Sequence, residues 1–168
     1  VDTACSAGLV ATSFARGALV LHECELAAVL AVNLILSPDG AHTPFAIAGM
    51  TSPHGKCHTF DTRADGYSRA EACGATVLRT TAGEGAVLAC LEGAAVRCDG
   101  KSASLTAPNG QAQRAVIAAA LTVSGVVAER LRLIEAHGTG TALGDPTEAG
   151  ALAGVYGSVE RATALVLG

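Results

Sequence analysis

Apolar positions along this chain fall into helical spacings and continuous runs by turns, and that alternation predicts its elements. Residues 1–4, VDTA, read as extended, with Val1 and Thr3 of strand type. From Cys5 to about Leu21 the pattern is helical. Leu9, Phe14, Ala18 and Leu21 are expected near one face, among small residues that allow close packing. His22 follows where a C-terminal cap would sit and where glycine would be more comfortable. The next run, ELAAVLAVNLIL, is continuously apolar, which predicts a strand covered on both faces in a parallel or mixed sheet. SPDG, SPHG and FDTRADGYSRAEACG are rich in turn-forming and charged residues and read as loop. GATVLRT and AVLACLEGAAVRC read as two strands. TAPNGQAQRAVIAAALTVSGVVAE begins as a turn and runs into a helix, and LRLIEAHG reads as a strand ending in a loop. GDPTEAGALAGVYG starts a further helix, with Asp145 as the expected N-cap and Pro146 at the first helical position. TALVLG is a final apolar strand. Strands alternating with helices place the chain in the α/β class.

Composition narrows what such a chain can do. Of 168 residues, 50% are hydrophobic, 15% charged and 3% aromatic, with no Trp, so the core must be built from Ala, Val and Leu. That suffices for one domain or part of a larger one. The net charge is −4, and no run of Lys or Arg stands out. The electrostatic footprint of a nucleic-acid binder is missing. The most apolar window, LAAVLAVNLILS, is shorter than the roughly 20 residues of a membrane span and follows Glu23 and Glu25. Neither nucleic acid nor membrane is therefore expected as a partner. The six cysteines form no C-x-x-C pair. HGKCH sets His54, Cys57 and His58 in a Pro/Gly loop with no second cluster at ligand spacing, so no metal site is expected. Scattered thiols in an acidic chain with no visible targeting segment suggest a reducing, cytoplasmic compartment.

Two positions stand out chemically. Cys5 lies at a strand-to-helix junction, where unpaired N–H groups and the helix dipole stabilise a thiolate and could hold an oxyanion. The competing reading is a small buried cysteine in an Ala-rich core. His137 lies just past LRLIEA, at the strand end where open α/β sheets carry their sites. Gly138 and Gly140 free the backbone there, and Thr139 and Thr141 offer hydroxyls. A neutral imidazole can donate to a carbonyl oxygen or assist a decarboxylation; the competing reading is a loop histidine that caps local carbonyls. A cysteine and a histidine far apart in sequence need only meet in space. Glu135 and Glu148 read as structural carboxylates at a strand end and a capped helix. Asp2 and Thr3 are expected to orient the turn before Cys5, and Asp65 and Arg69 to form a local ion pair. Cys24, Cys73, Cys90 and Cys98 read as core filler.

In order and spacing, VDTACSAGLVA, VNLILSP, FDTRADGYSRAEACG, LTAPNGQAQRAVI and EAHGTGTALGDPTEAGAL resemble the β-ketoacyl synthase (ketosynthase) domain of modular type I polyketide synthases, from Val1 to Gly168. The resemblance implies a thiolase-like fold, two related α/β halves packed as a layered αβαβα sandwich. This chain would be a central fragment of it: residues 1–85 the end of the N-terminal half, and 86–168 the truncated start of the C-terminal half. It implies Cys5 as the nucleophile that accepts an acyl chain from a phosphopantetheine thioester. His137 would be the first of two active-site histidines, and Thr139 and Thr141 hydroxyls lining the pantetheine channel. The implied reaction is a decarboxylative Claisen condensation with a malonyl-type extender on acyl carrier protein, in a homodimer, with no metal or redox cofactor bound. DTACSAG and HGTGTALGDPTE lean towards the polyketide rather than the fatty-acid type. A second histidine and a lysine are implied beyond Gly168, so the 168 residues alone are expected to be inactive, with sheet edges and apolar faces exposed. Two other readings stand beside it: a non-condensing ketosynthase-like domain that only passes acyl chains, and a non-catalytic dimerisation or carrier-docking piece. The intact Cys5 and HGTGT argue against the last.

Several positions depart from the family pattern. Ala7 and Gly8 replace serines, and His22 replaces a glycine, so a strained left-handed backbone is expected at His22. Leu30 and Ala31 replace a Gly-Gly pair, and Leu30 is expected to force repacking near the helix after Cys5. Ala70 and Ala72 replace glycines, and Arg97 and Cys98 an Asn-Gln pair.

Overall fold

The first long helix lies on the first strand because two small residues let it. In a computed structural model, which describes residues 1–80, 85–102, 104 and 107–168, helix α1 (Ala7–Val20) packs on strand β1 (Leu26–Asn33). A Cβ on Gly8 would stand 3.4 Å from the Cβ of Ala31, an ordinary contact distance. Gly8 and Leu19 share one side of α1, about 20° apart at 100° per residue, and Leu19 is buried. Phe14 and Leu21 lie roughly opposite and stay exposed, as does Leu9. The expected inner face is therefore corrected: close approach through small residues, not the bulkiest side chains, decides how the helix seats. Because Ala31 faces α1, Leu30 points to the other face of the strand. It is 68% exposed, so it forces no repacking against the helix.

The end of α1 follows the expectation. His22 has φ 58. Its N–H donates to Leu19 O at 3.2 Å, and the Glu23 N–H donates to Ala18 O at 2.9 Å. This is the paired hydrogen-bond pattern of a left-handed helix terminus, with histidine in the position that glycine favours.

β1 pairs with β2 (Ala72–Arg79), from Leu26↔Arg79 to Asn33↔Ala72, and the pairing is antiparallel. The parallel or mixed sheet read from the continuous apolar run is thus corrected for this pair, since such a run does not by itself report strand direction. Between the two strands the chain returns through loop and two short helices, α2 (Pro38–Ala41) and α3 (Thr43–Ile47). SPDG, read as loop, therefore starts α2, with proline in its first turn.

In the second half, α4 (Gly110–Ser124) begins at an Asn109 side chain that accepts from the Gln111 and Ala112 N–H groups, and ends at Gly125 with φ 65. β3 (Leu133–Ile134) runs parallel to β4 (Val166–Leu167). Helix α5 (Gly144–Tyr156) packs on α4. There the Arg114 Nη2 donates to Gly150 O at 3.1 Å, and a Cβ on Gly154 would stand 2.5 Å from the Arg114 guanidinium carbon.

Three further expectations change. Residues 1–4 form no strand; Thr3 and Cys5 make only a local bridge. AVLACLEGAAVRC forms no strand either, because among the described residues it meets no partner strand for its backbone groups. It is tied instead by the Arg16 Nη2, which donates to Glu92 O at 2.9 Å, and by Gly93 against Ser124. Cys73, Cys90 and Cys98 are exposed rather than core filler, and Cys24 is half-buried. Residues 81–84, beside the expected boundary at 85, and Leu105 and Thr106 of LTAPNGQAQRAVI lie outside the described residues. Among the described residues no helix is long and apolar enough to cross a membrane.

His22→Gly removes the left-handed strain at a net gain of about 0.5–1 kcal/mol, after the entropy cost of glycine. The urea midpoint should rise with no change in slope.

Candidate active site

Two acids near the start of α5, Asp145 in its first turn and Glu148 just beyond it, organise everything around them. Asp145 and Glu148 are three residues apart and so share one face of the helix. Asp145 is not the N-cap expected of it. Leu143 holds that position, and Asp145 is the second helical residue, 4% exposed. Its carboxylate reaches backwards instead. Oδ1 accepts from the Gly140 N–H at 3.0 Å and the Thr141 N–H at 3.3 Å. Oδ2 accepts from the Phe60 N–H at 2.7 Å. Glu148 accepts from the His137 N–H at 2.7 Å on Oε1 and from the Gly138 N–H at 2.9 Å on Oε2. Five backbone donors from two distant loops thus converge on two carboxylates. Such charge-assisted bonds are the strong kind, about 1.5–3 kcal/mol each.

The loop they hold, HGTGT, needs its glycines. Gly138 has φ 51 and Gly140 φ 72, a region in which L side chains are strained. A Cβ on Gly138 would stand 2.6 Å from Thr59 Cγ2, and one on Gly140 2.9 Å from His58 N. Between them the Thr139 and Thr141 hydroxyl oxygens lie 3.1 Å apart, and Thr141 Oγ1 also accepts from the Gly144 N–H at 3.2 Å. The imidazole of His137 is exposed and has no hydrogen-bond partner among the described residues. Its backbone is therefore fixed while its ring is left free for a ligand. Glu135 is exposed, and its Oε2 lies beside Gly168 at the end of β4.

Thr59 and the FDTRADG loop that follows it strap HGTGT from the other side. The Thr59 hydroxyl donates to Gly138 O at 2.6 Å, and the Gly66 N–H donates to Gly140 O at 2.9 Å. The strap is stiffened internally. Asp61 accepts from the Arg63 N–H, Nε and Nη2 at 2.8–2.9 Å, which holds its carboxyl far below the usual range. Asp65 Oδ2 meets His54 Nδ1 at 2.8 Å, and the neighbouring Ser52 hydroxyl first, then His54, hold its carboxyl below the usual carboxylate range. The expected Asp65–Arg69 ion pair does not form. Gly66 turns the chain between them at φ 133, and the Arg69 guanidinium stacks over the Phe45 ring at 4.4 Å. A cleft of about 390 Å³ remains between this strap and the start of α5, with Phe60, Ala64, Thr141 and Pro146 among its walls.

Within HGKCH, His54 is the partner of Asp65, and the Cys57 Sγ accepts from the Ser68 N–H at 3.1 Å. Among the described residues no three His, Cys, Asp or Glu side chains cluster as metal ligands.

Cys5 is exposed, two residues ahead of α1. Ala4 before it has φ 54. Its N–H donates to Asp2 Oδ1 at 3.2 Å, and the Ser6 hydroxyl donates to Thr3 O at 3.0 Å. Ser6 makes no side-chain cap, so the first helical N–H groups are not taken up by it. The Ala7 N–H is taken by Ala4 O at 3.0 Å; a thiol on a sharp turn before the remaining donors of the first helical turn is well placed to be a nucleophile whose oxyanion they meet. Among the described residues no hydrogen bond joins Cys5 to His137.

Thr59, Phe60 and Gly66 were not singled out from the sequence. Their partners lie about 80 positions away, and nothing in local spacing reports such a pairing.

The fold recurs in known proteins. Residues 1–84 match the family described as "Beta-ketoacyl synthase, N-terminal domain", and residues 88–168 match "Beta-ketoacyl synthase, C-terminal domain". The chain belongs to the β-ketoacyl synthase family, and its fold is that of the corresponding part of the thiolase-like ketosynthases. Among solved structures it is similar to the ketosynthase from module 6 of the bacillaene synthase of Bacillus subtilis 168, with TM-score 0.94 and 35% identity, covering 100% of this chain and 31% of that one. It is also similar to an oxazolomycin ketosynthase domain from Streptomyces albus JA3453, with TM-score 0.93, 34% identity and the same coverage. Among curated proteins, one phenolphthiocerol/phthiocerol polyketide synthase component of Mycobacterium tuberculosis (strain ATCC 25618 / H37Rv) is 43% identical over 172 residues, covering 100% of this chain and 8% of the relative. Another component of that synthase, from strain CDC 1551 / Oshkosh, is 47% identical over 161 residues, covering 94% of this chain and 8% of the relative. The chain thus spans less than a tenth of these relatives.

Asp145→Ala strands three N–H groups and should cost about 2–4 kcal/mol, read as a lowered denaturant midpoint. A second expectation concerns acid. The folded pKa of Asp65 is depressed, so its contribution is complete above the unfolded value near 3.8 and is lost as pH falls through the folded one. Asp65→Asn should flatten the loss of stability below about pH 4, measured as urea midpoints down to about pH 2.

Proposed function

We propose that these residues form the nucleophile turn and first-histidine loop of a condensing ketosynthase domain of the polyketide type. The observation that carries this is the site's division of labour. Two carboxylates behind HGTGT fix its backbone and leave the His137 imidazole without a partner among the described residues, while Cys5 stands on a strained turn before a helix that Ser6 does not cap. The Cys5 thiolate attacks the thioester carbonyl of an acyl chain carried by phosphopantetheine on an acyl carrier protein, and the pantetheine thiol leaves. A malonyl-type extender then loses CO₂. His137 donates a hydrogen bond to its thioester oxygen as the enolate forms. The enolate carbon attacks the acyl-Cys5 carbonyl and expels the thiolate, which makes the new carbon–carbon bond. Thr139 and Thr141 line the arm's path. Asp2 and Thr3 hold the nucleophile turn, and Asp145 and Glu148 hold the histidine loop. Glu135 belongs to the sheet end.

The two family matches, which meet between residues 84 and 88, support a division into the end of an N-terminal half and the start of a C-terminal half near residue 85. Pairing of two such domains as a homodimer, a second histidine and a lysine from residues outside these 168, and a cytoplasmic location complete the reading. It requires no metal or redox cofactor.

The test uses the full-length protein. Cys5→Ala should abolish covalent acylation by an acyl thioester, seen by intact mass. His137→Ala should keep acylation within about threefold and lower condensation at least about 100-fold. No acylation of the parent overturns the proposal. Acylation without any carbon–carbon product assigns the chain to acyl transfer alone.

A further inference from the structure

Thr59 makes a contact that the proposed chemistry does not use. Its hydroxyl donates to Gly138 O at 2.6 Å across 79 positions of chain, at the short end for such bonds. The same glycine's N–H is held by Glu148 at 2.9 Å. Gly138 therefore has its donor bound to an acid and its acceptor bound to an alcohol, and the Thr59 methyl fills the space that a Cβ on Gly138 would need. The peptide that leaves Gly138 leads directly to Thr139. Glycine has other backbone basins open to it, so with the carbonyl released this peptide plane can turn. His137 on one side and Thr139 on the other would then lose their fixed relation.

We propose that Thr59 is a positioning residue, whose hydroxyl locks the Gly138 peptide and thereby sets the His137 imidazole against the Thr139 hydroxyl. The inference rests on the ketosynthase reading above for its kinetic consequence, but not for its structural one. Val keeps the shape of Thr and loses the hydroxyl; Ser keeps the hydroxyl and loses the methyl. The two variants separate hydrogen bond from packing.

The experiment compares Thr59→Val and Thr59→Ser with the parent, all as full-length protein, by three readouts. These are acylation of Cys5 by an acyl-N-acetylcysteamine thioester, condensation kinetics with malonyl-loaded carrier protein, and hydrogen–deuterium exchange of the peptide covering residues 137–141. Thr59→Val should acylate Cys5 within about twofold of the parent and lose about 10–100-fold in kcat for condensation. Its KM should stay within about threefold, and exchange over 137–141 should quicken at least about tenfold. Thr59→Ser should keep at least a third of the parent kcat and slow exchange. A Val variant with parent-like kcat overturns the inference. So does a Ser variant as impaired as Val, since packing and not the hydroxyl would then be responsible, and so does a Val variant that loses acylation in step with kcat. A parent that neither acylates nor condenses overturns the ketosynthase reading instead. Exchange then decides the structural claim by itself, and an unchanged rate over 137–141 in Thr59→Val overturns it.

Discussion

The structure around the site depends on one turn of helix α5. Asp145 would be ordinary as a helix-start acid, where the dipole favours negative charge, and Glu148 follows it on the same face. Here both turn back over the loop that precedes the helix and collect five N–H groups from it and from the FDTRADG strap. A glycine-rich loop has many conformations to lose on folding. Ionic acceptors at its back offset that loss for a single one of them. The exposed side of the loop is left to His137, and a fixed backbone that presents an unpartnered side chain is the arrangement that electrostatic catalysis requires.

The nucleophile side is built on different physics. There the constraint is contact distance. Gly8 against Ala31 sets α1 close on β1, and the strain is concentrated at the two ends of the helix, in Ala4 at φ 54 and His22 at φ 58. Strain at Ala4 lies directly beside the proposed nucleophile, where strained backbone is often part of a mechanism. Strain at His22 has no such neighbour and is simply the cost of a histidine at a glycine position.

Much apolar surface remains open. Leu26, Leu30 and Val32 of β1 and Val77 of β2 are all more than half exposed, and the buried apolar side chains are few: Val10, Leu19, Val29 and Ala151 among the described residues. Exposed apolar area on this scale marks surfaces made to be covered, which accords with a chain that matches about a third of the ketosynthases it superposes on.

Local chemistry in the sequence determined α1, β2, α4 and α5, the left-handed stop at His22 and the glycines of HGTGT, because caps, periodicity and φ preferences act within a few residues. The motifs around Cys5 and His137 pointed to the site for the same reason. What the sequence could not settle all depends on partners far along the chain. The antiparallel sense of β1 and β2 is one case. Others are the absence of a strand in AVLACLEGAAVRC, the pairing of Asp65 with His54 rather than Arg69, and the turning of Asp145 from helix cap to anchor of a distant loop. A carboxylate takes whichever donors the fold brings within hydrogen-bond reach, and the Phe60 N–H, 85 positions from Asp145, is within reach only once the tertiary structure has formed.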